Sequence, residues 1–342
     1  MKTLFYFGIL LFAFAMGFWS CQSNPLDIDI SNSDVTIEYL SFEKELQKST
    51  IGSPLILEEL SKTYGTFPQD FVESILQIGP VDNPQSWQVV SEFATDSQTV
   101  TSLNAIAEVH HPNRNTYHKT LTEALQRYHY HFPEENLPRV ITMHSGFNFS
   151  VFPYNKDHIA IGLDYFLGTE HPVTLQLDAN LFPQYMKDKM KPEYVPYSAI
   201  RGWLLIKNQE HYDNKNLLST LIYWGKIMYI MDACFPNKED AMKMDYTAQD
   251  IAWCEANERS IWIELSQSET IYQNKRFEIE KWTAEGPFTA AADVPQDSPA
   301  RLGIWMGWQI VRDYMEKNRE ITLEQLLEDR DYLKMLNTYK PG

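Results

Sequence analysis

From Leu217 to Phe235 the apolar side chains Leu217, Leu221, Trp224, Met228, Met231 and Phe235 recur at spacings of three and four, which predicts one helix with a core-facing stripe. The same periodicity returns over about 181–190, 193–209, 247–267, 299–317 and 322–336, the last opened by the capping-box sequence Thr322-Leu323-Glu324-Gln325. The stretch 36–109 also reads as helical. Within it, Ser53-Pro54 supplies a cap and first turn, Leu55 to Tyr64 an apolar face and Gly65 a stop, and a second helix follows Phe67-Pro68. Between the helical blocks lie three short runs, Arg139–His144, Phe147–Phe152 and His158–Gly162, rich in apolar, aromatic and β-branched residues. Ser-Gly and Pro-Tyr-Asn-Lys-Asp turns separate them, and two hairpins in succession predict an antiparallel meander. The fold class expected is α+β, predominantly helical, with a small antiparallel sheet.

The first twenty residues break this pattern: Lys2 is followed by an uncharged apolar stretch from Leu4 to Trp19 and then by Ser20-Cys21-Gln22-Ser23-Asn24. Such a stretch is too short for a spanning helix and fits a secretion signal. A small residue before a cysteine at its end resembles a bacterial lipoprotein cleavage site, so Cys21 is expected to become the acylated N-terminus. Residues 1–20 are then a lipoprotein signal peptide, 21–35 a polar tether and 36–342 a single two-lobed domain. Loss of Lys2 takes the formal charge from -17 to -18. So acidic a surface, without a basic cluster, repels phosphate backbones and excludes nucleic acid as a partner. Cys234 and Cys254 read as buried free thiols, with a bridge as the alternative in an exported compartment. His110, His111, His118, His129 and His131 crowd one stretch, but their spacing offers no converging metal set and no metal or other cofactor is expected.

The helix at 217–235 holds Gly225 and Lys226 side by side in an apolar run. Gly costs about 1 kcal/mol against Ala in a helix interior, which predicts close approach of a neighbouring element; Gly303 and Gly307 predict a second such contact. Lys226 is read as snorkelling to solvent, with an ion pair to Glu255 or Glu258 as the alternative. Zinc peptidases place two histidines and a glutamate on a buried helix as H-E-x-x-H. Here those five positions read Gly225-Lys226-Ile227-Met228-Tyr229, which supply no ligand, a cation and a phenol. The order of parts nonetheless resembles a zincin of the peptidase MA type without its zinc motif. The remnant-site positions are Gly225, Lys226, Tyr229, Glu255 and Glu258.

Across essentially the whole chain the sequence resembles the gliding-motility lipoprotein B family. The residues that carry this are the start at Cys21, VTIEYLSFEKEL (35–46), NKDHIAIGLDYFLG (155–168), LLSTLIYWGKIMYIMDACFP (217–236), WCEANERSIWIEL (253–265) and SPARLGIWMGWQIVRDYMEKN (298–318). The resemblance implies a non-enzymatic structural or adaptor lipoprotein of the gliding machinery. It would be lipid-anchored in the cell envelope, face the periplasm or the surface, and partner other gliding and secretion proteins. It assigns no catalytic residue. A cell-envelope metallopeptidase with an atypical site built from the histidines and Glu255 or Glu258 is the alternative. A glycan-binding module, prompted by nine Trp and nineteen Tyr, is the third reading; most of them, such as Trp224, Trp262, Trp305 and Trp308, fall at periodic core positions, so packing explains them more cheaply.

Overall fold

The computed structural model describes residues 24–50, 55–291 and 293–342, so the signal segment, Cys21 and Ser53-Pro54 lie outside the described residues. A short strand β1 (Tyr39–Ser41) comes first, then helices α1 (Glu43–Thr50), α2 (Leu57–Tyr64), α3 (Phe67–Asp70, continued by a π-turn over Phe71–Ile75), α4 (Pro84–Thr95), α5 (Ser97–His110) and α6 (Arg114–His131). Strands β2 (Arg139–Met143), β3 (Val151–Asn155) and β4 (His158–Gly162) follow. The rest is helical: α7 (Pro172–Gln176), α8 (Gln184–Lys187), α9 (Val195–Lys207), α10 (Leu217–Cys234), α11 (Asp240–Met244), α12 (Ala248–Leu265), α13 (Ser268–Ile271), α14 (Arg276–Thr283), α15 (Leu302–Lys317), α16 (Leu323–Glu328) and α17 (Tyr332–Thr338).

The sheet corrects the expected antiparallel meander. Its order is β1-β2-β4-β3, with β1/β2 and β2/β4 parallel and only β3/β4 antiparallel. The Asn155 turn closes the one hairpin, where Asn155 Oδ1 accepts from Asp157 N at 2.9 Å. The Ser-Gly stretch does not turn the chain back on itself. It carries the chain past the place β4 will fill, moulded around the buried carboxylate of Asp164, which accepts from Ser145 N (2.9 Å) and Phe147 N (2.5 Å). Gly146 and Phe147 both adopt positive φ there, at 68° and 60°. The expected helical reading of 36–109 also fails at its start, because Tyr39–Ser41 pairs with β2.

Side chains alternate across the sheet and feed two cores. Ile141, Met143 and Ala160 pack on Phe42, Phe67 and Phe71 of the N-terminal helices. Val140, Ile159 and Ile161 face the larger core, which includes α6, α9, α10 and α15. α9 lies directly on β3 and β4, with Gly202 close against Val151, and Trp203 Nε1 donates to Lys156 O at 2.8 Å.

Instead of one buried stripe, α10 is buried nearly all round; only Trp224 and Tyr229 are partly exposed. Such a helix belongs at the centre of a large core. It crosses α15 at glycines on both sides. A methyl group at Gly225 would run into the Gly307 carbonyl, and one at Gly307 into the Leu221 carbonyl. Gly303 faces Leu221 and Trp282, so the two expected close contacts are one crossing.

The single helix expected over 322–336 is two. The Thr322–Gln325 capping box opens α16 as expected, but Asp329 Oδ1 accepts from Asp331 N (2.9 Å), and Asp331 then caps α17 through Lys334 N (3.0 Å). Likewise the helix expected over 181–190 shrinks to Gln184–Lys187. Lys226 explains how the α16–α17 break is held. Its ammonium is buried, neither snorkelling nor paired with Glu255 or Glu258, and donates to Leu327 O (3.2 Å) and Asp329 O (2.5 Å). These carbonyls stand at the C-terminal end of α16, where a cation meets the negative end of the helix dipole.

Two outcomes follow from this packing. Gly225→Ala or Gly307→Ala forces the α10 and α15 backbones apart and should lower stability by about 1–3 kcal/mol or more, read as a drop in the urea midpoint. Burial pushes the Lys226 pKa down to about 8, against the partial support of Asp329. The folded pKa lies below the unfolded one, so between about pH 8 and the ordinary lysine value near 10.5 the unfolded chain binds more protons. Stability relative to Lys226→Met should therefore rise with pH through that window; a flat difference would show that the ammonium is not desolvated.

Candidate functional site

α10 ends at Cys234, and the chain turns through Phe235-Pro236 into α11, which brings Asp240 and Lys243 to Asp232 of α10 and Arg312 of α15. Asp232, in the last turn of α10, is buried at the negative end of that helix, where a carboxylate alone is disfavoured. Its neighbours offset that cost. Asp232 accepts from Lys243 Nζ (2.6 Å), from Arg312 Nε and Nη2 (both 2.7 Å) and from Trp308 Nε1 (2.8 Å). Arg312 bridges on to Asp240 at 2.5 and 2.8 Å and stacks on the Trp308 ring 3.7 Å from its centroid. Trp308 and Arg312 stand four apart on α15, hence on one face.

Burial works against the Arg312 charge, but its bonds to Asp240 and the field of Asp232 hold its pKa above the ordinary arginine value. Asp240 lies below the usual carboxylate range: burial raises its pKa, and the Arg312 contact outweighs that. Two acids and two bases thus form a neutral, saturated unit.

This unit forms the inner wall of a cleft of about 640 Å³ between α10, α11, α15 and the start of α16. Lys238 and Arg319 stand exposed at its mouth, and Met315, Ile321 and Leu26 provide apolar wall. The N-terminal segment lies along it: Asn24 Nδ2 donates to Pro236 O (2.8 Å), Asn237 Nδ2 donates to Asp27 Oδ2 (2.8 Å), and Asp27 sits 3.9 Å from Arg127 on α6.

Of the remnant-site positions only Tyr229 opens into the cleft, with its phenol pushed up to about 12 by burial and by the charge of Asp232. Gly225 is spent in the helix crossing and Lys226 on the α16 carbonyls. Glu255 is exposed on α12, which packs chiefly on α15. Glu258 accepts from the Tyr339 hydroxyl and from Gly342 N at 3.3 Å. The histidines are dispersed as well. His110 is buried and donates to Leu163 O (3.0 Å), His118 stacks on Tyr39, and His131 borders the cleft. Among the described residues no group of three His, Cys, Asp or Glu side chains is placed to hold a metal ion. Cys234 and Cys254 are buried free thiols, and burial raises the pKa of both, that of Cys234 to about 12.

One buried set was not anticipated. Ser102 Oγ contacts His144 Nε2, and the other ring nitrogen lies 3.9 Å from Asp164. The order is that of a nucleophilic triad but the protons are reversed. His144 Nδ1 accepts from Gly146 N (3.1 Å), so the ring proton is on Nε2 and is given to Ser102. Burial lowers the His144 pKa and keeps the ring neutral. With Ser102, His144 and Asp164 all buried, the set fastens α5 to the end of β2.

The sequence profile of the gliding motility protein GldB matches residues 23–341. The chain belongs to that family. No curated protein and no solved structure matches it. Membership makes it a gliding-motility-related lipoprotein. Among the described residues no helix is long and apolar enough to cross a membrane.

The Asp232 unit yields a direct stability test. Asp232→Ala leaves the Trp308 N–H without its acceptor and Arg312 and Lys243 with Asp240 alone between them, and should cost about 3–5 kcal/mol, measured by urea denaturation. An unchanged midpoint would mean that water already screens the site.

Proposed function

We propose that the protein is a lipid-anchored, non-catalytic structural or adaptor component of the gliding machinery in the cell envelope. It is attached through acyl chains on Cys21, faces the periplasm or the surface, and partners other gliding and secretion proteins. The observation that carries this reading is the use made of the groups that a metallopeptidase would devote to chemistry. Gly225 serves a backbone crossing, Lys226 neutralises helix carbonyls, and Glu258 ties down the C-terminal residues. The charges of the inner cleft wall, Asp232, Asp240, Lys243 and Arg312, are engaged with one another. We read the scaffold as a degenerate zincin: a sheet, then the buried α10 with Gly225-Lys226-Ile227-Met228-Tyr229 at the motif positions, then α12 with Glu255 and Glu258. That reading rests on the order of parts; α9, not α10, is the helix lying on the sheet.

Labelled palmitate fed to cells should enter the wild-type chain and not Cys21→Ser, which should accumulate as a heavier, unprocessed precursor. Equal labelling of both would refute attachment at Cys21. Elemental analysis of the purified mature protein should give far less than one zinc per chain; stoichiometric zinc with peptide cleavage would replace the adaptor reading with the peptidase one.

A further inference from the structure

The cleft beside α11 carries a charge opposite to that of the molecule around it. The chain as a whole stands at -17. At the cleft mouth, Lys238 is exposed and has no ion-pair partner among the described residues, while Arg319 stands 3.9 Å from Glu316, which also lines the cleft, so four basic side chains face three acidic ones and the lining carries one net positive charge. Behind them, Lys243 and Arg312 are neutralised by Asp232 and Asp240, so the inner wall does not cancel the mouth. Leu26, Met315 and Ile321 add apolar surface to the lining. An occupant matched to this surface has an anionic head and a hydrocarbon continuation.

Chain connectivity says where such an occupant would come from. Asn24 lines the cleft and is tied to Pro236. Only Gln22 and Ser23 separate it from Cys21, three steps of chain with a reach of about 10 Å. If Cys21 is acylated, so short a link keeps the headgroup layer next to the part of the cleft that Asn24 lines. A body this acidic would be repelled by an anionic leaflet unless a basic face were turned toward it. We propose that the cleft seats the phosphate headgroup of an anionic phospholipid from the membrane to which the chain is tethered. Lys238 and Arg319 would bind the phosphate, and Leu26, Met315 and Ile321 would line the glycerol and first acyl carbons. This inference rests on the lipoprotein reading and adds to it the orientation of the protein on the bilayer.

The test uses the full mature protein purified from cells, with the mass of its N-terminal peptide establishing acylation. It is reconstituted into phosphatidylcholine nanodiscs with and without phosphatidylglycerol, and amide exchange is followed over residues 236–244 and 316–323. Exchange in these segments should slow severalfold in the anionic discs only. The Lys238→Glu/Arg319→Glu double variant should abolish the difference while keeping its thermal midpoint, since both side chains are exposed. In flotation with anionic vesicles the same variant should bind roughly tenfold more weakly or worse. Equal exchange in the two kinds of disc overturns the proposal, as does protection that survives the double variant. Protection produced by poly-glutamate but not by lipid also overturns it, assigning the cleft to an acidic protein segment. An N-terminal peptide without acyl mass defeats the lipoprotein reading alone, and vesicle flotation of that unacylated chain still decides the cleft.

Discussion

The crossing of α10 and α15 at Gly225, Gly303 and Gly307 sets the spacing on which the rest of the C-terminal half depends. Two helices whose backbones touch cannot slide without a carbonyl striking a Cα, so their register is fixed more tightly than side-chain packing alone would fix it. That register carries Asp232, two turns past Gly225 on α10, to Trp308 and Arg312, one and five residues past Gly307 on α15. Each glycine weakens its own helix by about 1 kcal/mol, and the close contact offsets this through dispersion over two long, buried elements.

Around this crossing the buried charges act as fasteners between elements. Lys226 joins α10 to the break between α16 and α17, and Asp232 joins α10 to α11 and α15. Arg301 and Lys189 meet Glu285, while Arg201 meets Asp245. Each such charge is expensive to bury and therefore demands its partner in one geometry. Together these contacts tie α10, α11, α15 and the break between α16 and α17 into one packed unit.

Much of the helical framework was legible in the sequence, because long periodic segments with caps such as Thr322 and the Gly65 stop carry local information. Sheet topology was not. Strand runs declare themselves, but the parallel pairing of β2 with β4 depends on the buried Asp164 gathering the amides of Ser145 and Phe147, a contact across nineteen positions and seventeen. β1 had a readable signal that the helical reading passed over: Val35, Ile37 and Tyr39 alternate with Thr36 and Glu38 at a strand period. Gly225 was legible as a close contact, though its partner was not. Lys226 and Asp232 were illegible for one reason: partners such as Asp329 and Arg312 lie 103 and 80 positions downstream respectively, beyond any local pattern.

The N-terminal segment gives the molecule a particular mechanical attachment. Asn24 and Asp27 grip the turn after α10 and the flank of α6, more than two hundred and about a hundred residues away respectively. A pull applied ahead of Asn24 is therefore delivered first to the end of the central helix and only afterwards to the edge strand β1. For a chain in a motility apparatus, traction would load the most deeply packed element before it could peel the sheet.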